Sequence, residues 1–354
     1  MELSSRRQFA RTVGLLTVSQ QGGAQSPTAI TVSNQQFGNL RGFNYQPSWG
    51  SNGLEIWRQF DAGLMEVELA RGRKYFPAIK AIRLWLSWDA FMRSPRRFEQ
   101  DFETALDIAH KCDLAVMPVL FNRWHSQHLD YGGIYLDHFL PGASWLQRAK
   151  DPFQPFLDGV VGRHASDSRI LAWDLCNEPF AYNTPASAAM APVRAAETAW
   201  LEMLYKVCKQ LGARAPVTVG FHGGADMIEK LSDVFSIHPY WSPPIDKSEV
   251  APSRLKFEKF LDTRVAIANR FNKPLLATET CWGSLDDPER VAIIRYTLTE
   301  LRKRKIGWLA YVLHHSLIAD AHRPEYGPVG HAGNLAFIEA DGSLRPGHEI
   351  FNEF

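Results

Sequence analysis

From Leu40 to Leu313 the chain repeats one alternation about eight times: a short apolar run, then a longer segment with apolar residues at helical spacing. The runs are LRGFNYQPS, AIRLWLSW, LAVMPVLF, ILAWDL, APVTVGF, VFSIHPYW, KPLLATETCW and GWLAYVL. In the segments between them, Phe102, Ala105, Leu106 and Ala109 share one helical face, as do Phe257, Phe260, Leu261, Val265 and Ala268. Val291, Ile294, Leu298 and Leu301 do the same near the end of the series. A strand buried on both faces reads as such a run, and helices covering it carry the chain back to the next parallel strand. Eight repeats are the number that closes a parallel sheet on itself. An open doubly wound sheet would place a glycine-rich phosphate turn after its first strand; NYQPSWGSNG stands there instead. The pattern therefore predicts an α/β fold, a single (β/α)8 TIM barrel over residues 36–354.

Bulk properties narrow the function. A net charge of +1 gives no basic excess for a nucleic-acid partner. No apolar run is long enough to span a bilayer, so no membrane role is expected. Cys112, Cys176, Cys208 and Cys281 have neither a metal-type spacing nor the density of a disulfide framework. No cofactor is expected, and the chain reads as a monomer. Residues 1–26 stand apart. Ser5-Arg6-Arg7-Gln8-Phe9 opens a modest apolar patch followed by a polar stretch, which is similar to a twin-arginine export signal. This predicts export to the periplasm or beyond; the alternative is a disordered tail in a cytoplasmic protein.

In a barrel of this kind chemistry gathers at the C-terminal ends of the strands. Those ends hold Asn44 and Gln46 on the first, Arg83 on the second, Asn122 on the third, and Asn177 and Glu178 on the fourth. His238 and Tyr240 follow on the sixth and Glu279 on the seventh. Arg83 shares a strand face with Trp85, opposite Ile82, Leu84 and Leu86. In ILAWDLCNEPF, alternation groups Asp174, Cys176 and Glu178, and Pro179 predicts an extended backbone at Glu178. Glu178 and Glu279 then face each other across the barrel mouth. Two carboxylates about 5 to 5.5 Å apart can cleave a glycosidic bond with retention, one as nucleophile and the other as acid and then base.

These residues in this order resemble the retaining glycoside hydrolases of clan A, and among them the cellulase-like family 5. Asn177-Glu178-Pro179 matches the acid/base motif on the fourth strand, and Thr278-Glu279-Thr280 the nucleophile on the seventh. Arg83 matches the second-strand arginine that contacts the nucleophile. His238-Pro239-Tyr240 matches the sixth-strand pair, whose tyrosine touches the nucleophile. The resemblance implies catalytic roles for Glu178 and Glu279. It implies substrate-binding roles for Arg83, Asn122, Asn177, His238 and Tyr240, with an oligosaccharide or polysaccharide as substrate. Where relatives carry a third-strand histidine, either Asn122 or His125 could stand. Where they carry an eighth-strand tryptophan, the sequence offers Trp308, Tyr311 and His314.

Trp49, Trp88, Trp124, Phe180, Tyr182, Trp241 and Trp282 all follow predicted strands, a placement suited to stacking on sugar rings. Trp241 and Trp282 are the expected sugar contacts. The long segment after Asn122 is expected to wall a cleft. His125, His128, His138, His314, His315, His322 and His331 form no H-x-H or H-E-x-x-H spacing, so no metal site is expected; one or two are expected to meet substrate hydroxyls. Two other functions compete with a glycosidase: a carbohydrate-binding barrel without turnover, and a metal-dependent barrel hydrolase.

Overall fold

Each of the eight apolar runs forms a strand in the computed structural model, which describes residues 34–123, 133–140, 152–180, 188–220, 230–324 and 332–354. The export-like segment, Trp124, His125, His128, Tyr182, His331 and most of the segment after Arg123 lie outside the described residues. The strands are β1 (Arg41–Tyr45), β2 (Ala81–Trp85), β3 (Ala115–Val119), β4 (Trp173–Asn177), β5 (Val217–Gly220), β6 (Phe235–Ile237), β7 (Leu275–Ala277) and β8 (Gly307–Ala310). They pair in parallel in the order β5-β4-β3-β2-β1-β8-β7-β6. At the remaining seam the Asp233 N–H donates to Val217 O at 2.7 Å, and the Thr218 hydroxyl to Val234 O at 2.6 Å. The expected barrel is the fold observed.

Helices cover the strands as the periodicity indicated. They are α1 (Asn34–Gly38), α2 (Gly53–Arg58), α3 (Ala62–Tyr75), α4 (Trp88–Arg93), α5 (Pro95–Lys111), α6 (Gln154–Leu157), α7 (Ala191–Gln210), α8 (Val250–Arg270), α9 (Asp287–Lys303) and α10 (Leu317–Asp320). The starts of α3 and α9 are fixed by aspartates: Asp61 accepts from Leu64 N–H and Asp286 from Glu289 N–H, at 2.9 and 2.7 Å. Helix α5 buries Phe98, Phe102, Ala105, Leu106 and Ala109 against the sheet, the face its spacing predicts.

Strand alternation sets what the barrel interior contains. Ile82 and Leu84 point into the helix layer. Ala81, Ala172, Val234, Leu276 and Leu309 form an apolar plug inside, with Phe37, Leu40 and Met117. Two residues further along the same faces come Arg83, Asp174, Ser236, Thr278 and Tyr311, all buried. One step toward the strand ends thus exchanges an apolar layer for a polar one, on which the site is built. After β8, residues 332–354 close the barrel. Ile338 bridges both His314 and Leu344, and the chain turns at Asp341-Gly342 with φ of 84° at Gly342. The segment His348–Glu353 ends the chain as a 3-10 helix that packs Phe351 on Phe43, 4.4 Å between centroids.

Candidate active site

Arg83 organises the polar layer. Its side chain is wholly buried, and all of its N–H groups point at named acceptors. Nε and Nη2 donate to Asp174 Oδ2 at 2.9 and 2.8 Å, and Nη2 also to Asn177 Oδ1 at 2.7 Å. Nη1 donates to Asn44 Oδ1 at 3.1 Å and to Glu279 Oε1 at 2.5 Å. Burial works against the charge, but Asp174 and then Glu279 outweigh it and raise the guanidinium above its ordinary pKa. Arg83 is therefore a fixed cation at the Glu279 carboxylate. The sequence assigned it to substrate binding; it lies outside the cavity wall, because its donors are committed to protein acceptors.

The second Glu279 oxygen is held as firmly. Tyr240 donates its hydroxyl to Oε2 at 2.8 Å. Burial first, and then the Glu279 charge, push the phenol well above its usual pKa, so Tyr240 remains a protonated donor. Glu178 meets His238, whose Nδ1 stands 2.7 Å from Glu178 Oε1 and 3.5 Å from Glu279 Oε2. One ligand-type atom each from Glu178, His238 and Glu279 lies within 4.8 Å of the other two. Such a trio has the composition of a metal site, yet Arg83 and Tyr240 already occupy both Glu279 oxygens with donated protons. The donor set suits a poised carboxylate better than a cation.

Glu178 does not have the extended backbone that Pro179 predicts. Its φ is 46°, and that of Phe180 is 61°, both in the left-handed region. Such residues cost on the order of 1 to 3 kcal/mol each and persist where surrounding structure over-determines them. Here the Glu178 N–H donates to Gly220 O at 2.6 Å, which ties the turn to the end of β5. The pairing of β4 with β5 also shifts register between Asp174 and Asn177. Asp174 and Asn177, three apart, both reach Arg83, while Cys176 joins the helix-side core instead of sharing the face of Asp174. Gly220 makes room for this: a Cβ there would lie 2.5 Å from Arg83 Nη2 and 2.6 Å from Asp174 Oδ2. Asp174 and Gly220 were missed in the sequence. The signal for Asp174 was an acid inside an otherwise apolar strand.

Above the carboxylates lies a cavity that opens to solvent. Asn122 and Asn177 stand on its wall, with Asn177 Nδ2 donating to Asn122 Oδ1 at 2.9 Å. Trp85, Trp88, Trp282 and Tyr311 supply its aromatic surfaces, and Trp282 meets Tyr240 edge-on at 5.3 Å. The eighth-strand position falls to Tyr311, which donates to Gln46 Oε1 at 2.7 Å. Trp308 is buried outside, beneath the Arg41 guanidinium at 3.4 Å, and His314 turns to Arg71 and Glu68. Of the described histidines that the sequence singled out, His322 alone lines the cavity. Trp241, expected at the sugar, is elsewhere. Its indole donates to Ser253 Oγ at 3.2 Å and packs on Tyr296 at 4.4 Å, so β6 delivers it to the helix layer rather than the mouth. Trp49 is likewise used internally, donating to Ile56 O at 2.9 Å.

No protein-family model matches the sequence, and no curated protein matches it. Solved structures do. Exo-beta-1,4-mannosidase Op5Man5 from Opitutaceae bacterium strain TAV5 is similar at 19% identity and a TM-score of 0.65, over 89% of this chain and 58% of that one. The fold is that of the family 5 glycoside hydrolases. GH5_18 from Streptomyces cattleya, in complex with GlcNAc, is similar at 14% identity and a TM-score of 0.66, over 89% of this chain and 79% of that one. The endo-beta-1,4-mannanase from Thermotoga petrophila is similar at 15% identity and a TM-score of 0.61, over 89% and 76%. The chain spans little more than half the length of the Opitutaceae protein.

Proposed function

We propose that this chain is a retaining β-glycosidase that hydrolyses a β-linked glycan or glycoside, and that residues 1–26 direct its export. The observation that carries the reading is the pairing of Glu178 and Glu279. Their facing oxygens lie within 4.8 Å, close to the separation of about 5 Å at which a nucleophile and an acid share one glycosidic bond. Inverting enzymes need about 6.5 to 9.5 Å to admit a water between the two carboxyl groups.

Glu279 is the nucleophile. Its carboxylate is oriented by hydrogen bonds from Arg83 and Tyr240, and it attacks the anomeric carbon from one face of the sugar. Glu178 gives its proton to the departing oxygen as that bond breaks. In the second step it takes a proton from water, which displaces Glu279 from the anomeric carbon. Asn177, with its carbonyl oxygen engaged by Arg83 and one amide N–H by Asn122 Oδ1, lines the cavity wall, where its second amide N–H serves the sugar 2-hydroxyl. Trp282 and Tyr311 offer faces for the ring. Two of the structural neighbours are named as a β-1,4-mannosidase and a β-1,4-mannanase, which makes β-mannosides the first substrates to try.

Two substitutions test the roles. Glu279→Ala removes hydrolysis of every substrate. Glu178→Ala lowers turnover of poor leaving groups by about 10² to 10⁴, the usual contribution of a positioned acid. A dinitrophenyl glycoside needs no proton to depart, so its first step survives and the intermediate accumulates. Azide needs no base and restores turnover, giving a β-glycosyl azide. Azide rescue of Glu279→Ala with a β-configured product, and of Glu178→Ala with an α-configured one, reverses the assignments, and unchanged rates in both variants sink the two-carboxylate reading.

A further inference from the structure

The turn that carries Glu178 is anchored by a group that none of the steps above uses. We infer that Glu197, on the covering helix α7, is the positioning residue for the acid/base, acting through the backbone of Phe180. This rests on the glycosidase reading of Glu178.

The left-handed pair Glu178 and Phe180 brackets Pro179, which has no N–H to hold. The Glu178 N–H is tied to Gly220 O, and a further hold on the turn is the Phe180 N–H. It donates to Glu197 Oε1 at 2.8 Å. Glu197 is fully buried on the first half of α7 and faces Arg123, also fully buried, with Nε 3.3 Å from the same Oε1. Arg123 in turn donates its backbone N–H to Asn177 O at 3.0 Å. The ion pair thus grips both sides of the Asn177-Glu178-Pro179-Phe180 turn, one side by its carboxylate and the other by its own backbone. A buried ion pair is weak support for stability, since apolar residues of similar size often serve as well or better. Its geometry here serves aim: a charged acceptor on Phe180 N–H holds a strained turn in the one conformation that directs the Glu178 carboxyl at His238 and the cavity.

The test compares two variants that both remove the charge, so that neither leaves a lone buried ion. Arg123→Met with Glu197→Gln keeps an acceptor for Phe180 N–H. Arg123→Met with Glu197→Leu does not. Each is assayed on a β-glycoside with a poor leaving group and on its dinitrophenyl counterpart, with melting temperature measured alongside. The Gln variant is expected to keep wild-type selectivity between the two substrates. The Leu variant is expected to lose about ten- to a hundredfold in kcat/KM on the poor leaving group, as misplacing a catalytic group by about 1 Å does. Its kcat/KM on the dinitrophenyl glycoside is expected to change by less than about threefold, with azide raising kcat, because that bond breaks without the acid. Equal losses on both substrates, or no loss on either, overturn the positioning role while leaving the glycosidase reading intact. A wild type that hydrolyses no glycoside and takes up no covalent inhibitor sinks that reading and this inference with it.

Discussion

Trp241 and Trp282 occupy the same kind of place in the sequence, one just after the sixth strand and one just after the seventh, and they meet different surroundings. Trp241 is 6% exposed and packs between α8 and α9; Trp282 faces the cavity beside Tyr240. Their alanine substitutions should therefore separate. Trp241→Ala should cost about 3 to 5 kcal/mol of stability, as a large core truncation does, and lower the melting temperature. Trp282→Ala should leave the melting temperature nearly unchanged and raise KM by about threefold to tenfold, in keeping with about 0.5 to 1.5 kcal/mol for an aromatic contact. If Trp282→Ala unfolds the protein, Trp282 is core. If Trp241→Ala raises KM in a stably folded protein, the cavity extends further than its described walls. At this scale the sequence was legible wherever residue type and strand position together set where a side chain lies, as for Glu279, Asn177 and Tyr240. It was not legible where a side chain's direction depends on a loop, as for Trp241. Nor was it legible where a backbone angle is imposed from outside, as for Glu178, whose left-handed φ is held by β5 and α7 rather than encoded by Pro179.

Among the elements, strands were easier to read than their irregularities. Alternation in β2 separates Arg83 and Trp85 from Ile82 and Leu84, and the structure agrees. Alternation in β4 fails after Asp174, because a register shift is a property of two strands together and leaves no period in either one. The closing segment His348–Glu353 has its own electrostatics. Burial first, and then the charges of Arg290 and Arg345, lower the His348 imidazole to about 3. In the unfolded chain it titrates near about 6.5. Above that pH both states are neutral at His348, and it adds no pH dependence. Below it the unfolded chain binds a proton that the folded one refuses, so stability falls by up to about 1.4 kcal/mol per pH unit toward pH 3. Thermal midpoints of the wild type should thus drop more steeply between pH 6.5 and 4 than those of His348→Gln. Parallel curves would assign the acid sensitivity to other groups.

For the whole molecule, the strand–helix count was sufficient to foresee the barrel, because closure needs eight units and each left a clear apolar run. The polar layer over the apolar plug was foreseeable only in part: Arg83 announced itself as a charge in a strand, whereas Asp174 and Gly220 gain meaning from Arg83. The N-terminal reading is tested at this scale. Removing residues 1–26 should leave the melting temperature unchanged, and a drop of several degrees would mean that the segment contributes to folding. The two-carboxylate claim is tested most directly by trapping its intermediate. Wild-type protein is incubated with dinitrophenyl 2-deoxy-2-fluoro-β-glycosides of manno and gluco configuration, and the modified peptide is identified by mass spectrometry. A retaining enzyme with the assigned roles releases one equivalent of dinitrophenolate and carries the fluoroglycosyl group on Glu279, and Glu279→Ala carries none. Label on Glu178, or steady hydrolysis of unfluorinated glycosides to an inverted product with no label on either carboxylate, contradicts it.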